Sequence, residues 1–147
     1  MRAGGNYGWP YDADYSGNPC PYYDDPAYVP PLAYWSGTVA PAGTLVYDGD
    51  DIADWSGDML ICASNTSALY RARLNASRDA VTSLDRVSLP GGIYCGTDIE
   101  VAPEGSIYML AWTITGNGVY RLSGPADLRL SRKSMTPADP QPGDPMT

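Results

Sequence analysis

Three cysteines and an excess of acidic side chains are the groups in this sequence that could do chemistry. The cysteines lie at positions 20, 62 and 95, and the 147 residues include no histidine. A zinc site of the Cys/His type would have at most three protein ligands here, so no such site is predicted. The chain also lacks the imidazole that titrates near neutral pH, so no catalytic residue is assigned in it. One disulfide and one remaining thiol is the arrangement that the cysteines favour.

The acidic side chains concentrate in two runs, YYDD (22–25) and DGDD (48–51). Calcium prefers several oxygen ligands, but neither run has the spacing of a known calcium loop. We interpret both as surface turns and assign no metal ligand. The net charge of −8 disfavours binding to a phosphate backbone, so no nucleic-acid partner is predicted. No apolar run reaches the roughly 18 residues of a membrane span.

The elements that would position these groups are short strands. The phrase VAPAGTLVY (39–47) returns as VAPEGSIYM (101–109), 62 positions later. In each copy Pro-x-Gly predicts a turn between two β-prone runs. Turn signals recur every 8–15 residues or so, and this spacing predicts an all-β fold. The repeat favours blades of a β-propeller, and a small open β-sandwich is the alternative.

The chain is predicted to have three parts. Residues 1–33 are dense in Gly, Pro, Asp and Tyr and predict a long irregular loop. Residues 34–122 predict one complete blade, from about Thr38 to Leu89, and a second blade with three strands. Residues 123–147 end in a proline-rich run and predict a disordered tail.

Several motifs resemble one family. They are GGNYGWP (4–10), YWSGTVAPAGTLVYDGDDIADWSGDMLICA (34–63), DIEVAPEGSIYML (98–110) and VYRL (119–122). In this order they are similar to the C-terminal part of the glucose/sorbosone dehydrogenases, the soluble PQQ-dependent sugar dehydrogenases. The resemblance implies a six-bladed propeller, of which this chain covers about the last two blades, with the remaining blades of the full-length protein as its partner. It also implies oxidation of an aldose, with PQQ as hydride acceptor, calcium as cofactor and a histidine base. Because this chain has no histidine, we expect it to be inactive alone.

The resemblance also implies cofactor-binding positions. They are Tyr34, Trp35, Thr38, Asn65, Thr97 and Asp98. The chain departs from the family pattern at three places, because Asn65 replaces a lysine, and Cys95 and Thr97 replace two arginines. A non-catalytic extracellular propeller that binds carbohydrate or protein, with a degenerate PQQ site, is therefore the alternative function.

The blade arrangement that the resemblance implies brings Cys62 and Cys95 to the ends of neighbouring strands. We therefore expect a disulfide between them, with buried free thiols as the alternative. A disulfide requires an oxidising compartment, which predicts an extracellular or periplasmic protein.

Overall fold

The computed structural model describes residues 5, 27–113, 116–124 and 129–132, with the backbone alone for residues 112, 113, 116 and 129–132. The chain divides into two units, Met1–Tyr34 and Trp35–Thr147. In the first unit the side chains of Leu32 and Tyr34 are exposed. The GGNYGWP motif, Cys20, the YYDD run and most of the predicted tail lie outside the described residues.

The second unit contains two four-stranded antiparallel sheets. The first has the order β1-β2-β3-β4 and the second the order β5-β6-β7-β8. The strands are β1 (Pro41–Val46), β2 (Met59–Ala63), β3 (Ala68–Leu74), β4 (Val81–Val87), β5 (Tyr94–Val101), β6 (Ile107–Thr113), β7 (Gly116–Ser123) and β8 (Arg129–Arg132). Two short 3₁₀ turns, Ala53–Trp55 and Pro90–Gly92, are the helical elements in the described part of the chain. The predicted all-β class is confirmed.

Local turn chemistry explains why each sheet is a simple meander. Between β3 and β4 the side-chain oxygen of Asn75 accepts hydrogen bonds from the backbone N–H groups of Asp79, at 3.0 Å, and Ala80, at 3.2 Å. Between β5 and β6 the N–H of Gly105 donates to the carbonyl of Ala102 at 2.8 Å, and Gly105 has a φ of 85°. Asn in the first turn and Gly in the second supply conformations that close hairpins.

The hydrophobic core lies between the two sheets. Leu60, Cys62 and Leu69 of the first sheet are fully buried, and they pack in one cluster with Ile107, Met109 and Leu122 of the second. Leu60 and Cys62 alternate along β2, and Ile107 and Met109 alternate along β6, so the core-facing side chains of these two strands have the period of two that a strand requires. Burial of these side chains against one another holds the two sheets together. We call β1 and β5, the first strand of each sheet, the inner strands.

The two copies of the VAP phrase occupy different strands, which corrects the interpretation of the repeat. Pro103–Gly105 forms the predicted turn between β5 and β6, whereas Pro41–Gly43 lies inside β1 and reverses nothing. The register of β1 shifts between Pro41 and Thr44, so the chain forms a bulge there. β1 is an edge strand, where a proline without an N–H is tolerated. The same phrase thus forms a bulge in the first sheet and a turn in the second.

The second sheet also differs from the expectation of three strands. A fourth strand, β8, pairs with β7 from Tyr120↔Arg132 to Ser123↔Arg129. It follows the boundary drawn at residue 122, where the apolar pattern of the sequence stops. Outer strands bury little side-chain surface, so their sequences carry a weak hydrophobic signal.

Gly43 lets the two inner strands touch backbone to backbone. A Cβ at this position would lie 2.8 Å from the Cα of Asp98 and 2.9 Å from the carbonyl oxygen of Thr97. We expect Gly43→Ala to lower the free energy of unfolding by about 1–3 kcal/mol, because backbone atoms cannot move aside without shifting β5. Chemical denaturation measures this.

Gly37→Ala is the matched control, because a Cβ there meets nothing within 4 Å. Its effect should stay within about 0.5 kcal/mol. Equal effects of the two substitutions would contradict the close contact between β1 and β5.

Candidate functional site

The candidate site comprises the loop before β1, the turn after β2 and the bulge of β5. Thr38 precedes β1, Asn65 follows β2, and the backbone of Thr97 and Asp98 lies against Gly43 of β1. All four side chains are exposed. We call these four residues, Thr38, Asn65, Thr97 and Asp98, the inner rim.

A bulge in β5 positions Thr97 and Asp98, two of the four inner-rim residues. Cys95 pairs with Ala111 and Asp98 with Leu110, so Gly96 and Thr97 are extra residues on the β5 side. Bulges re-aim side chains and are frequent beside functional sites. The bulge of β1 faces this one, because Gly43 is the residue in contact with Thr97 and Asp98. Two facing bulges therefore shape this end of the sheets.

Thr38 and Asn65, the other two inner-rim residues, are held by hydrogen bonds between the loop before β1 and the turn after β2. The Asn65 side-chain amide donates to the Thr38 carbonyl at 2.9 Å, and the Ser64 N–H donates to the Ala40 carbonyl at 3.1 Å. Ala40 has a φ of 47°, which is uncommon for a residue with a Cβ. Left-handed residues of this kind persist where surrounding contacts hold them, often at functional sites. The side-chain amide of Asn65 is therefore already engaged in a hydrogen bond with the backbone.

The disulfide between Cys62 and Cys95 joins the two sheets beneath the inner rim. Its Cα atoms are 5.0 Å apart, and both residues are completely buried. The sulfurs of Cys62 and Cys95 lie 3.8 and 3.6 Å from the Asp98 carbonyl oxygen. Since a disulfide sulfur carries no proton, these are packing contacts. The structure thus contains the disulfide that the sequence predicts.

The carboxylate of Asp98 keeps one oxygen for a ligand. Its Oδ1 accepts a hydrogen bond from the Ile99 N–H at 3.0 Å. The described contacts give its Oδ2 no partner. Thr97, the preceding residue of β5, and Thr38, in the loop before β1, are also exposed. This set of hydroxyls and one carboxylate can donate to and accept from the hydroxyl groups of a polyol.

The two aromatic residues of the predicted site lie in different units. Trp35 packs edge-on against Tyr70, with ring centroids 5.3 Å apart, and its indole Nε1 is buried without a hydrogen-bond partner. Tyr34 ends the first unit, and its side chain is 79% exposed. The structure therefore joins Asn65 to Thr38 and places Thr97 and Asp98 next to Gly43 and the disulfide, while the ligand-binding role of all six predicted positions stays a prediction.

At the opposite end of the sheets, the hydroxyl of Tyr47 connects two loops. Its buried hydroxyl donates to the Gly105 carbonyl at 2.6 Å and accepts from the Ile52 N–H at 3.0 Å. Burial, as the largest cause, raises the pKa of this hydroxyl above its usual value. The DGDD loop and the turn at Gly105 line a pocket of about 510 Å³. The described residues hold no group of three His, Cys, Asp or Glu side chains arranged for a metal ion.

The family model described as glucose/sorbosone dehydrogenase matches residues 1–120, which is most of the chain. The chain belongs to the glucose/sorbosone dehydrogenase family. The resemblance seen in the sequence is thereby confirmed. This match includes the inner rim and the disulfide.

Solved structures agree with this assignment. A glucose dehydrogenase is 28% identical over 80% of this chain and 35% of its own, with a TM-score of 0.62. The soluble aldose sugar dehydrogenase of Escherichia coli, in its apo form, gives 24% identity over 88% of this chain and 36% of its own, with a TM-score of 0.60, and shows the fold. The two sheets are therefore neighbouring blades of a β-propeller, as predicted.

The chain spans about a third of the length of these solved structures. A protein of Synechocystis sp., slr1608, which is uncharacterised, is 27% identical over 115 residues, and these cover 75% of this chain and 27% of that protein. In the part of the chain described, no helix has the length and apolar character needed to cross a membrane.

Sequence reasoning missed two residues that shape the site. Ala40 turns left-handed before β1, and nothing in its side chain signals this. Gly43 did carry a signal, because an isolated glycine inside a strand often marks a bulge or a close backbone approach.

Proposed function

We propose that this chain supplies two blades of an aldose dehydrogenase and that its inner rim binds the sugar. The observation that carries the proposal is the contact of the two bulges at Gly43, which sets Thr97 and Asp98 against the bulge of β1. Membership of the glucose/sorbosone dehydrogenase family supports a carbohydrate substrate. Loops at the mouth of a propeller channel are common ligand sites.

The reaction of such an enzyme removes two electrons and two protons from the sugar. In the reaction that the family resemblance implies, the anomeric hydrogen would pass as hydride to a quinone-class acceptor held outside these two blades, the anomeric hydroxyl would lose its proton to a base, and a lactone would form. The 147 residues contain no histidine, so none of them provides the imidazole that the family resemblance implies. The inner rim would orient the ring by hydrogen bonds to its hydroxyls, which lowers the entropic part of the barrier.

PQQ and calcium are the cofactors that the family resemblance implies, and the described residues do not fit them. PQQ is a tricarboxylate, which requires cationic or N–H donors. Of the six predicted binding positions, none is Lys or Arg, and Asp98 is negative. The described carboxylates form no three-residue cluster for calcium. We therefore derive no catalytic step through either group from these two blades.

An extracellular or periplasmic location is part of the proposal. The buried Cys62–Cys95 disulfide supports it, because disulfides form and persist in oxidising compartments and are rare in the cytosol.

Asp98→Asn tests the role of the inner rim in the protein expressed from its complete reading frame. We expect the KM for glucose to rise about tenfold with little change in kcat, because a charged acceptor of a sugar hydroxyl is lost. Steady-state reduction of an artificial dye at varied glucose concentration measures both constants.

Glu100→Gln is the matched control, because Glu100 is an exposed acid two residues further along β5 and outside the inner rim. Its KM should stay within about twofold of the original value. Equal KM values for the two variants would contradict sugar binding at Asp98. Absence of oxidation of any aldose would contradict the proposed function itself.

A further inference from the structure

We propose that a groove beside Arg86, outside the inner rim, binds a sugar acid, that is, a hydroxylated carbon chain with one carboxylate. The groove has a volume of about 390 Å³, and both Arg86 of β4 and Tyr94 of β5 line it. This volume is within the range of small-molecule sites, about 300–1,000 Å³. We call it the Arg86 groove. The inference rests on the proposed aldose oxidation for the source of its ligand.

The Arg86 groove is locally positive in an acidic chain. The sequence has 17 acidic and 9 basic side chains. The described residues that line the groove nevertheless include one arginine and no carboxylate. Arg86 forms no ion pair with a carboxylate in the described part of the chain. Charge complementarity therefore favours a ligand with a single negative charge.

One part of the Arg86 guanidinium is fixed by the protein, and another part is available to a ligand. Its Nη2 donates to the carbonyls of Thr66 and Ser67, both at 3.3 Å, in the turn after β2. Among the described residues, its Nε and Nη1 have no hydrogen-bond partner. A planar guanidinium matches the two oxygens of a carboxylate. We assign the N–H groups of Nε and Nη1 to the carboxylate of the ligand.

Hydroxyl groups and apolar side chains complete the lining of the Arg86 groove. Ser67, Ser88 and Tyr94 supply hydroxyls that can both donate and accept. Leu89 and Ile93 also line the groove, and they pack against the hydrophobic core. A hydroxylated carbon chain offers hydroxyls to the first set and C–H surface to the second. The lining thus favours a sugar acid over a small inorganic anion.

The backbone of Ser67 is a second observation, independent of charge. Its φ is 49°, a left-handed conformation that is uncommon for a residue with a Cβ. Such residues often lie at ligand sites, where surrounding contacts hold them. Here the contact of Arg86 with the Ser67 carbonyl is one of those that hold the turn. The same turn contains Asn65, two residues earlier, so the groove adjoins the inner rim.

Hydrolysis of the lactone from the proposed oxidation would supply such a ligand. Water adds to the lactone carbonyl, the ring C–O bond breaks, and an aldonic acid forms without transfer of electrons. Loss of one proton gives this acid a single carboxylate. The Arg86 groove is then a subsite for the hydrolysed product, beside the site that binds the sugar.

Titration calorimetry with gluconate, glucitol and inorganic phosphate tests the inference on the protein expressed from its complete reading frame. Glucitol has the same open carbon chain as gluconate but no carboxylate, and phosphate has charge but no carbon chain. We expect gluconate to bind with a Kd below about 1 mM, and both other probes to bind at least about tenfold more weakly.

Two variants of the groove should weaken gluconate binding by different routes. Arg86→Gln removes the charge, and Ser88→Asp adds a carboxylate at an exposed lining position while leaving the contacts of Arg86 with the turn in place. We expect each to lower gluconate affinity at least about tenfold. The matched control is Arg78→Gln, which removes one exposed cation from the turn at the other end of β3. Its affinity should change by less than about threefold.

The outcomes separate this inference from the proposed function. Equal losses in Arg86→Gln and Arg78→Gln, or a loss in Arg86→Gln without one in Ser88→Asp, would overturn the inference. A loss in Asp98→Asn instead would place gluconate at the inner rim and would also overturn it, as would glucitol or phosphate binding as tight as that of gluconate. Aldose oxidation without gluconate binding would remove the inference and leave the proposed function intact. Gluconate binding at Arg86 without oxidation of any aldose would do the reverse.

Discussion

Replacing Arg71 by methionine is expected to lower the free energy of unfolding by about 3–5 kcal/mol. Arg71 forms an ion pair with Asp58, with 2.5 Å between Nε and Oδ2, and the two side chains are only 12% and 11% exposed. Methionine keeps most of the side-chain volume but leaves the buried Asp58 carboxylate without its counter-charge. Removing one partner of a buried pair costs more than the pair contributes, because an uncompensated charge remains.

Further contacts of Arg71 add to the expected loss. Its guanidinium also donates to the Asp54 carbonyl and lies over the Trp55 ring, with 5.4 Å from the guanidinium carbon to the ring centroid. These contacts hold the 3₁₀ turn Ala53–Trp55, which connects β1 to β2, against β3. Losing them should loosen the loop that precedes the buried strand β2.

Arg73→Met is the control on the same strand. Arg73 pairs with Asp85 at 3.0 Å, but these side chains are 49% and 55% exposed. Exposed pairs contribute about 0–1 kcal/mol because water screens them. Urea denaturation of the two variants at fixed pH measures the difference. Similar losses of unfolding free energy in both variants would show that the Arg71–Asp58 pair does not owe its larger contribution to burial.

The sequence pattern indicates where the strands lie. The repeated VAP phrase, by contrast, does not indicate the spacing between the two sheets. The apolar run DMLICAS (58–64) and the alternating run ALYRARL (68–74) are typical of strands, and β2 and β3 match them to within one residue at each end. The 62-residue spacing of the VAP phrase is not the spacing of the blades. The strands β2, β3 and β4 begin at 59, 68 and 81, and β6, β7 and β8 begin 48 residues later. Pro-x-Gly suits both a turn and an edge-strand bulge, so pairing partners, which are non-local, decide between them.

The exposure of the candidate site agrees with the sequence-based expectation, and its ligand stays a prediction. The family resemblance implies ligand contacts at Thr38, Thr97 and Asp98, and all three side chains are exposed. The contact of Asn65 with the Thr38 carbonyl joins residues 27 positions apart and depends on the folded β1–β2 hairpin. Residue type alone therefore counted Asn65 as free for a ligand, when its amide nitrogen already holds the backbone.

Removing the Cys62–Cys95 disulfide is the second change with a large expected effect. The bond joins residues with a sequence separation of 33, and on the chain-entropy model its loss should lower the free energy of unfolding by about 3–4 kcal/mol. Both cysteines are fully buried, so a reductant should reach the bond only when the two sheets separate. We therefore expect dithiothreitol to reduce it slowly in buffer and quickly in denaturant.

Alanine variants distinguish the bond from ordinary packing at the two positions. Either Cys62→Ala or Cys95→Ala abolishes the bond, so the two single variants and the double variant should lose nearly the same free energy. Independent packing contributions would instead add in the double variant. Mass spectrometry of a non-reduced digest provides the direct measurement. Recovery of separate Cys62 and Cys95 peptides, each alkylated without prior reduction, would contradict the disulfide.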